Sequence, residues 1–278
     1  MDRTKYVIFS GELSDQQFRP EPGQAYAEIA CMDRRAVPGC IYTRAGWLRG
    51  PLQAGGLHRH TSGEVLMFLG SDHDHPEQLN AEIELQIEHD VLTFNRTCAV
   101  FIPAGAAHGE LKVKRLERDV LCCCCHPDTD VYEAQSAQAS APAGTYARNF
   151  VDRYDTTGVQ LPNVRAEVMT RLYYLDSRRV PGAPYFESVW FNIPTPAFLE
   201  PHVHQLNEVI FFAGSNADHP GDLDGKIDFY IDGEPVTLDR SCILFIPAGV
   251  PHTPFEILEM NHPCLHFSGG NNSNYHRD

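Results

Sequence analysis

His58 and His60 flank a single residue, Glu64 follows four positions later, and His108 lies just past a Pro-Ala-Gly turn at 103–105. On an extended segment alternate side chains share a face, so His58 and His60 can reach one ion while Arg59 points away. Thr61-Ser62-Gly63 reads as a turn. The next strand then presents Glu64, Leu66 and Phe68 on its inward face and Val65 and Met67 on the other. Ala99-Val100-Phe101-Ile102 reads as a short buried strand stopped by Pro103-Ala104-Gly105, where a tight turn brings His108 back toward the other three residues. Three neutral imidazoles and one carboxylate suit a divalent first-row metal at roughly 2.0–2.2 Å per bond, and a six-coordinate ion would keep two positions for water or substrate.

The whole arrangement occurs twice. Adding 144 to each number gives His202, His204, Glu208, Pro247, Gly249 and His252, and between residues 58 and 108 the halves align without a gap, with 22 of 51 positions identical. A lone histidine in a strand is more often a hydrogen-bonded structural residue than a ligand, but eight ligand-type positions recurring in phase are a different case. The repeat implies an arm plus first domain over 1–133, a connector over 134–145 and a second domain over 146–278. One ion of charge +2 beside one Glu leaves a net +1 in a low-dielectric cavity, which attracts an anionic or enolisable oxygen group. Glu64 and Glu208 could detach or accept a proton, and are the candidate catalytic residues.

Composition narrows the class. The 278 residues include 21 Gly and 20 Pro, and no segment carries a sustained helical stripe, so an all-β fold of short strands and turns is expected. Apolar runs such as Val65-Leu66-Met67-Phe68-Leu69 are far shorter than the roughly 20 residues that span a bilayer. With 37 Asp plus Glu against 22 Lys plus Arg, no basic surface is available for nucleic acid or anionic lipid. The N-terminus lacks a signal-peptide core, and nine cysteines at spacings unlike a disulfide framework suit a reducing compartment, so a cytoplasmic protein is expected. In Cys122-Cys123-Cys124-Cys125-His126 consecutive strand residues alternate faces, so only Cys122 and Cys124 could meet one ion, and packed thiols in a buried strand are favoured over a zinc site.

Along the chain, Ala25 to Cys31 reads as a short helix, and Tyr6-Val7-Ile8-Phe9 as an edge strand for the other half or a partner, or as a strap on its own domain. Gly39–Thr43 and Ala45–Leu48 read as two strands. The loops at Asp74-His75-Pro76 and Asp218-His219-Pro220 read as turns held by Asp and Pro, and Arg96 and Arg240 as partners of nearby carboxylates. Ala134 to Gly144 is a low-complexity connector with no strand expected, and Ser268 to Asn274 a frayed tail. Phe68 and Phe212, with Trp47 or Trp190 nearby, would form an apolar wall. Edge-rich sandwiches with extended arms often associate, so a homo-oligomer is an expectation.

The motif set His-x-His, Glu and Pro-x-Gly-x-x-His resembles the cupin family, and its duplication resembles a bicupin. The resemblance implies two tandem jelly-roll barrels, with one metal held by His58, His60, Glu64 and His108 and another by His202, His204, Glu208 and His252. The chain departs from the family pattern at Leu52, Thr97, Pro196 and Ser241, where Gly is usual, and at Lys112 and Glu256, where Asn is usual. The metal, up to one per domain, is Fe, Mn, Ni or Zn; the same donors also serve Cu. Three functions fit: a dioxygenase or related oxidoreductase on a small oxygen-rich molecule, a non-oxidative lyase, decarboxylase or isomerase, and a non-catalytic metal- and metabolite-binding protein.

Overall fold

The structure, a computed structural model, describes residues 4–12, 26–157, 159, 164–216 and 218–272. Alternation makes the strands, strict in Gln78–Ile87 and interrupted at Asp224 to Lys226 in Asp222–Ile231: they bury Leu79, Ile83 and Ile87, and Leu223, Ile227 and Ile231, on their inner faces. Asp232 and Gly233 both take positive φ, 53° and 78°, as a two-residue hairpin into Glu234–Arg240 requires. Among the described residues the only helix is the single turn Thr4–Tyr6, and none is long and apolar enough to cross a membrane.

Each half is a pair of facing antiparallel sheets. In the first, one sheet runs Phe150–Val151, Cys98–Ile102, Glu64–Gly70, Val120–His126, Tyr42–Leu48, Tyr26–Met32. The other runs Gln135–Ser136, His58–Arg59, His108–Leu116, Gln78–Ile87, Asp90–Arg96, with Leu52–Ala54 also on His108–Leu116. The second half repeats this with Val7–Phe9, Cys242–Ile246, Glu208–Gly214, Cys264–Gly270, Phe186–Phe191, Met169–Leu175 against Glu234–Arg240, Asp222–Ile231, His252–Met260. Fold class is therefore as expected: all-β, in two cupin-type barrels.

The halves exchange edge strands. Val7–Phe9 pairs with Cys242–Ile246 of the second half, while Phe150–Val151 pairs with Cys98–Ile102 of the first. The repeated arginines sit at these seams: Arg96 Nε is 3.8 Å from Asp152, and Arg240 Nη2 is 3.2 Å from Glu12. Both pairs are half exposed and contribute little energy. Apolar burial holds the halves together, since Trp47, Val65, Met67 and Cys123 share one continuous core with Trp190, Phe211 and Ile243.

Several expectations are corrected. Tyr26–Met32, expected to be helical, is a strand because Ile29 to Met32 are buried beside Tyr42–Leu48; Ala25 lies outside the described residues. Tyr42–Leu48 is one strand rather than two. Cys264–Gly270, expected to fray from Ser268 onward, is a buried central strand; of that expected tail, Ser273 and Asn274 lie outside the described residues. The connector contains a two-residue strand, Gln135–Ser136, on His58–Arg59. The tryptophans form no wall of either cavity: Trp47 and Trp190 face the opposite way, into the core between the halves.

Candidate metal centres

The second turn of each motif works as its residue types dictate. Gly105 has φ 81° and Ala106 N–H donates to Pro103 O at 3.1 Å, while Gly105 N–H donates to His60 O at 2.8 Å. Gly249 repeats this, with φ 78° and its N–H 2.8 Å from His204 O. Each turn is thus tied to the backbone of a candidate ligand, and His108 and His252 follow it into the barrel. Thr97 and Ser241 use their hydroxyls: Thr97 Oγ1 donates to Pro76 O at 2.8 Å and accepts from Gly70 N–H at 3.1 Å, while Ser241 Oγ accepts from the corresponding Gly214 N–H but donates to Asp222 O, two residues past the counterpart of Pro76.

The four residues of each motif meet. In the first half the imidazole centroids of His58, His60 and His108 are 4.5–5.0 Å apart, and those of His202, His204 and His252 are 4.5–5.1 Å apart. Glu64 Oε2 lies 2.8 Å from His108 Nε2 and 3.8 Å from His60 Nε2; for Glu208 Oε2 the distances to His252 and His204 are 3.0 and 3.7 Å. His58, His60 and His108 each place Nδ1 within 3.0 Å of a backbone carbonyl, of Gly56, Glu133 and Ala106, so Nδ1 carries the proton and Nε2 presents a lone pair. His202 and His252 do the same toward Glu200 and Val250.

These donors fit a cation. His60 Nε2, His108 Nε2 and Glu64 Oε2 are buried without a hydrogen-bond partner, although His108 Nε2 and Glu64 Oε2 approach closely. Lone pairs facing a carboxylate in a dry cavity are costly unless a positive charge lies among them. Burial alone raises the Glu64 carboxyl, but His108, His126 and His60 outweigh it and hold it well below the usual range; Glu208 is lowered in the same sense by His252, His204 and His202.

The walls differ between the halves. The first opens into a cavity of about 450 Å³ lined by Glu64, Leu66 and Phe68, with Arg44 set across from Cys124. The second cavity is about 80 Å³ and is filled by Phe191, Phe198, Phe229 and Phe255. There Glu187, not an arginine, stands across from Ser268. Tyr154 and Tyr185 hydroxyls donate to its two oxygens at 2.7 and 3.1 Å. Burial pushes the Glu187 carboxyl up, those tyrosines pull it down, Glu208 raises it further and Arg171, which also lines this cavity, lowers it, for a net rise.

Sequence reasoning did not single out Arg44, Glu187 or His266 in these walls, nor His126, whose Nε2 lies 3.7 Å from Glu64 Oε1. Cys122 and Cys124, expected as thiols packed in a buried strand, line the first cavity, and Cys124 Sγ donates to Glu64 Oε1 at 2.9 Å. Burial raises the Cys124 thiol well above its ordinary value, aided by Glu64, so it stays protonated. His75 and His219 sit in turns closed by backbone bonds to Asp72 and Asn216, as expected of the rim loops.

No family model matches the chain, and no curated protein matches it. Solved structures do. Oxalate decarboxylase from Bacillus subtilis at pH 4.6 is 12% identical, with a TM-score of 0.64. The Bacillus subtilis enzyme in work on the EPR fine structure of its Mn(II) centers gives 0.63 at 12%, and an oxalate decarboxylase in work on substrate binding mode and a reaction specificity switch gives 0.61 at 12%. Each match covers 98% of this chain and 78% of that chain. The shared feature is the fold, two cupin barrels in tandem.

Proposed function

We propose that the chain is a metal-dependent bicupin enzyme acting on a small anionic, oxygen-rich molecule by non-oxidative chemistry of the lyase or decarboxylase kind. His58, His60, Glu64 and His108 hold one divalent cation, and His202, His204, Glu208 and His252 a second. The first centre is the catalytic one. The observation that carries this reading is that Arg44 lines the roomy first cavity together with His58, Glu64 and His108. The oxalate decarboxylase neighbours support it through the common fold.

A bound divalent cation supplies Lewis acidity to a coordinated oxygen. Arg44 pairs with a substrate carboxylate and fixes its orientation, and its planar fork suits two oxygens at once. Leu66, Phe68 and Leu85 line the cavity and exclude water, which strengthens both interactions. Glu64, held at Oε1 by the Cys124 thiol, is the candidate proton acceptor. The same apolar lining also admits oxygen, which favours a dioxygenase as second reading.

The test is anaerobic and aerobic turnover of small mono- and dicarboxylic acids by protein purified without chelators and assayed for metal. Release of carbon dioxide without oxygen consumption is expected. Turnover that requires oxygen selects the second reading, and a metal-replete protein inert toward every acid removes both.

A further inference from the structure

The first half holds an imidazole that the repeat lacks. His126 ends the Val120–His126 strand, one step past the Cys125–Val65 pair, which places it across from Glu64. It is 1% exposed. Its Nδ1 is 3.0 Å from Ser62 Oγ, while its Nε2 has no hydrogen-bond partner and lies 3.7 Å from Glu64 Oε1. The ring centroid is 4.5 Å from that of His60. Donor atoms of His60, Glu64 and His126 lie within 4.8 Å of one another, a second triplet that shares His60 with the triplet His58, His60 and His108.

In the second half both members of this arrangement are replaced together. Adding 144 turns Ser62 into Leu206 and His126 into Gly270. A Cβ at Gly270 would come 2.5 Å from Leu206 Cδ1, so leucine fills the room that an imidazole takes in the first half. A donor and the hydroxyl that orients it are exchanged for a filler and a glycine. Neither change is explained by packing alone, because a buried imidazole with an unanswered nitrogen is a cost that a leucine avoids.

We propose that His126 is a fifth protein donor to the cation of the first half, so that this centre has four imidazoles and one carboxylate against three and one in the second. The proposal rests on the metal reading above and sharpens it. Five protein donors leave a six-coordinate ion one exchangeable position, enough for one substrate oxygen and too few for substrate and oxygen together. Imidazole-rich cages also suit Zn, Cu, Fe and Ni better than ions that prefer oxygen donors. The two centres would then differ in metal preference within one chain.

Cobalt(II) is the probe. Each coordinated imidazole that keeps a ring N–H gives one far-shifted, solvent-exchangeable proton resonance. With the second centre emptied by His204→Ala, four such resonances are expected from the first; with the first emptied by His60→Ala, three from the second. Ser62→Leu with His126→Gly, which gives the first half the residues of the second, should reduce four to three and weaken cobalt retention against a chelator by at least about tenfold. Three resonances from each half overturn the proposal and leave a metal centre standing. A first half that binds no cobalt overturns the metal reading itself. The comparison between halves needs no change at His126, so it decides the matter even if the double variant does not fold.

Discussion

The two cavities share a cage and little else. His58–His108 and His202–His252 have the same centroid separation, 4.5 Å, and the carboxylates repeat their distances to within 0.2 Å. Behind the cage, about 450 Å³ becomes about 80 Å³, Arg44 gives way to Glu187, and Cys122 gives way to His266. His266 packs between Phe191 and Phe212, and burial lowers it to about 4, so it is neutral at ordinary pH. A ligand motif therefore reports where a cation can sit, while the strand residues facing it decide what that cation can serve. By that measure the first half is built for an anion of some size and the second for packing.

The sharpest way to break this comparison is to remove one cage at a time. His60→Ala should lower turnover by at least about 10²–10³-fold, the scale of losing one electrostatic stabiliser of a developing charge. His204→Ala should leave turnover within a few-fold while metal content falls by one ion per chain. If the two variants lose activity equally, the division of labour argued from cavity size and charge is wrong.

The next effect concerns the cavity floor. Arg44→Gln keeps hydrogen-bonding capacity and removes the charge, and a charge-assisted bond is worth about 1.5–3 kcal/mol, so KM for a carboxylate should rise by roughly 10–100-fold with kcat less affected. Steady-state kinetics on one acid and its neutral amide separates a lost ion pair from a general loss of fit. An unchanged ratio of acid to amide would remove Arg44 from substrate recognition.

Why the cages were legible and the walls were not follows from where the repeat is exact. His58 to His108 matches without a gap, and alternation alone assigns Glu64, Leu66 and Phe68 to the cavity. Arg44 and Glu187 correspond only through their partners across the sheet, Cys124 and Ser268, at a spacing of 143 rather than 144. Their equivalence appears once strands are paired. His126 has Gly270 as its counterpart, so a search for recurring donors passes over it. The misplaced tryptophans are a failure of parity: Leu48 faces the first cavity, so Trp47, its neighbour on the strand, cannot. The mistaken helix at Ala25 to Cys31 shows pairing with Tyr42–Leu48 overriding local preference.

The connector offers a smaller effect, again different between halves. Glu88 is buried, and its carboxylate accepts the backbone N–H of Ala107 at 2.8 Å and of Ala141 at 3.0 Å, together with that of Ser140. Burial raises Glu88 and these donors lower it further than burial raises it. A depressed carboxylate stabilises the fold above its unfolded pKa and loses that contribution as pH falls through the folded value. Glu88→Gln should therefore cost about 1.5–3 kcal/mol at pH 7 and progressively less in acid below about pH 4. The corresponding Asp232 sits in an exposed hairpin turn, and Asp232→Asn should change stability by no more than about 0.5 kcal/mol. Denaturant unfolding at several pH values checks both.

The smallest expected effect tests the second cavity by its sign. Glu187 is an acid whose pKa is raised in the folded chain, chiefly by burial. Such a group binds its proton more tightly folded than unfolded, so its favourable contribution is complete below the unfolded carboxylate value and is lost as pH rises through the raised one. Glu187→Gln keeps the hydroxyls of Tyr154 and Tyr185 supplied with a partner and cannot ionise. Its melting temperature relative to wild type should therefore rise as pH increases from about 4 toward neutrality, with turnover at the first centre unchanged. A melting difference that is flat with pH would mean that Glu187 titrates like a solvated carboxylate and that the second cavity is wetter than its aromatic lining implies.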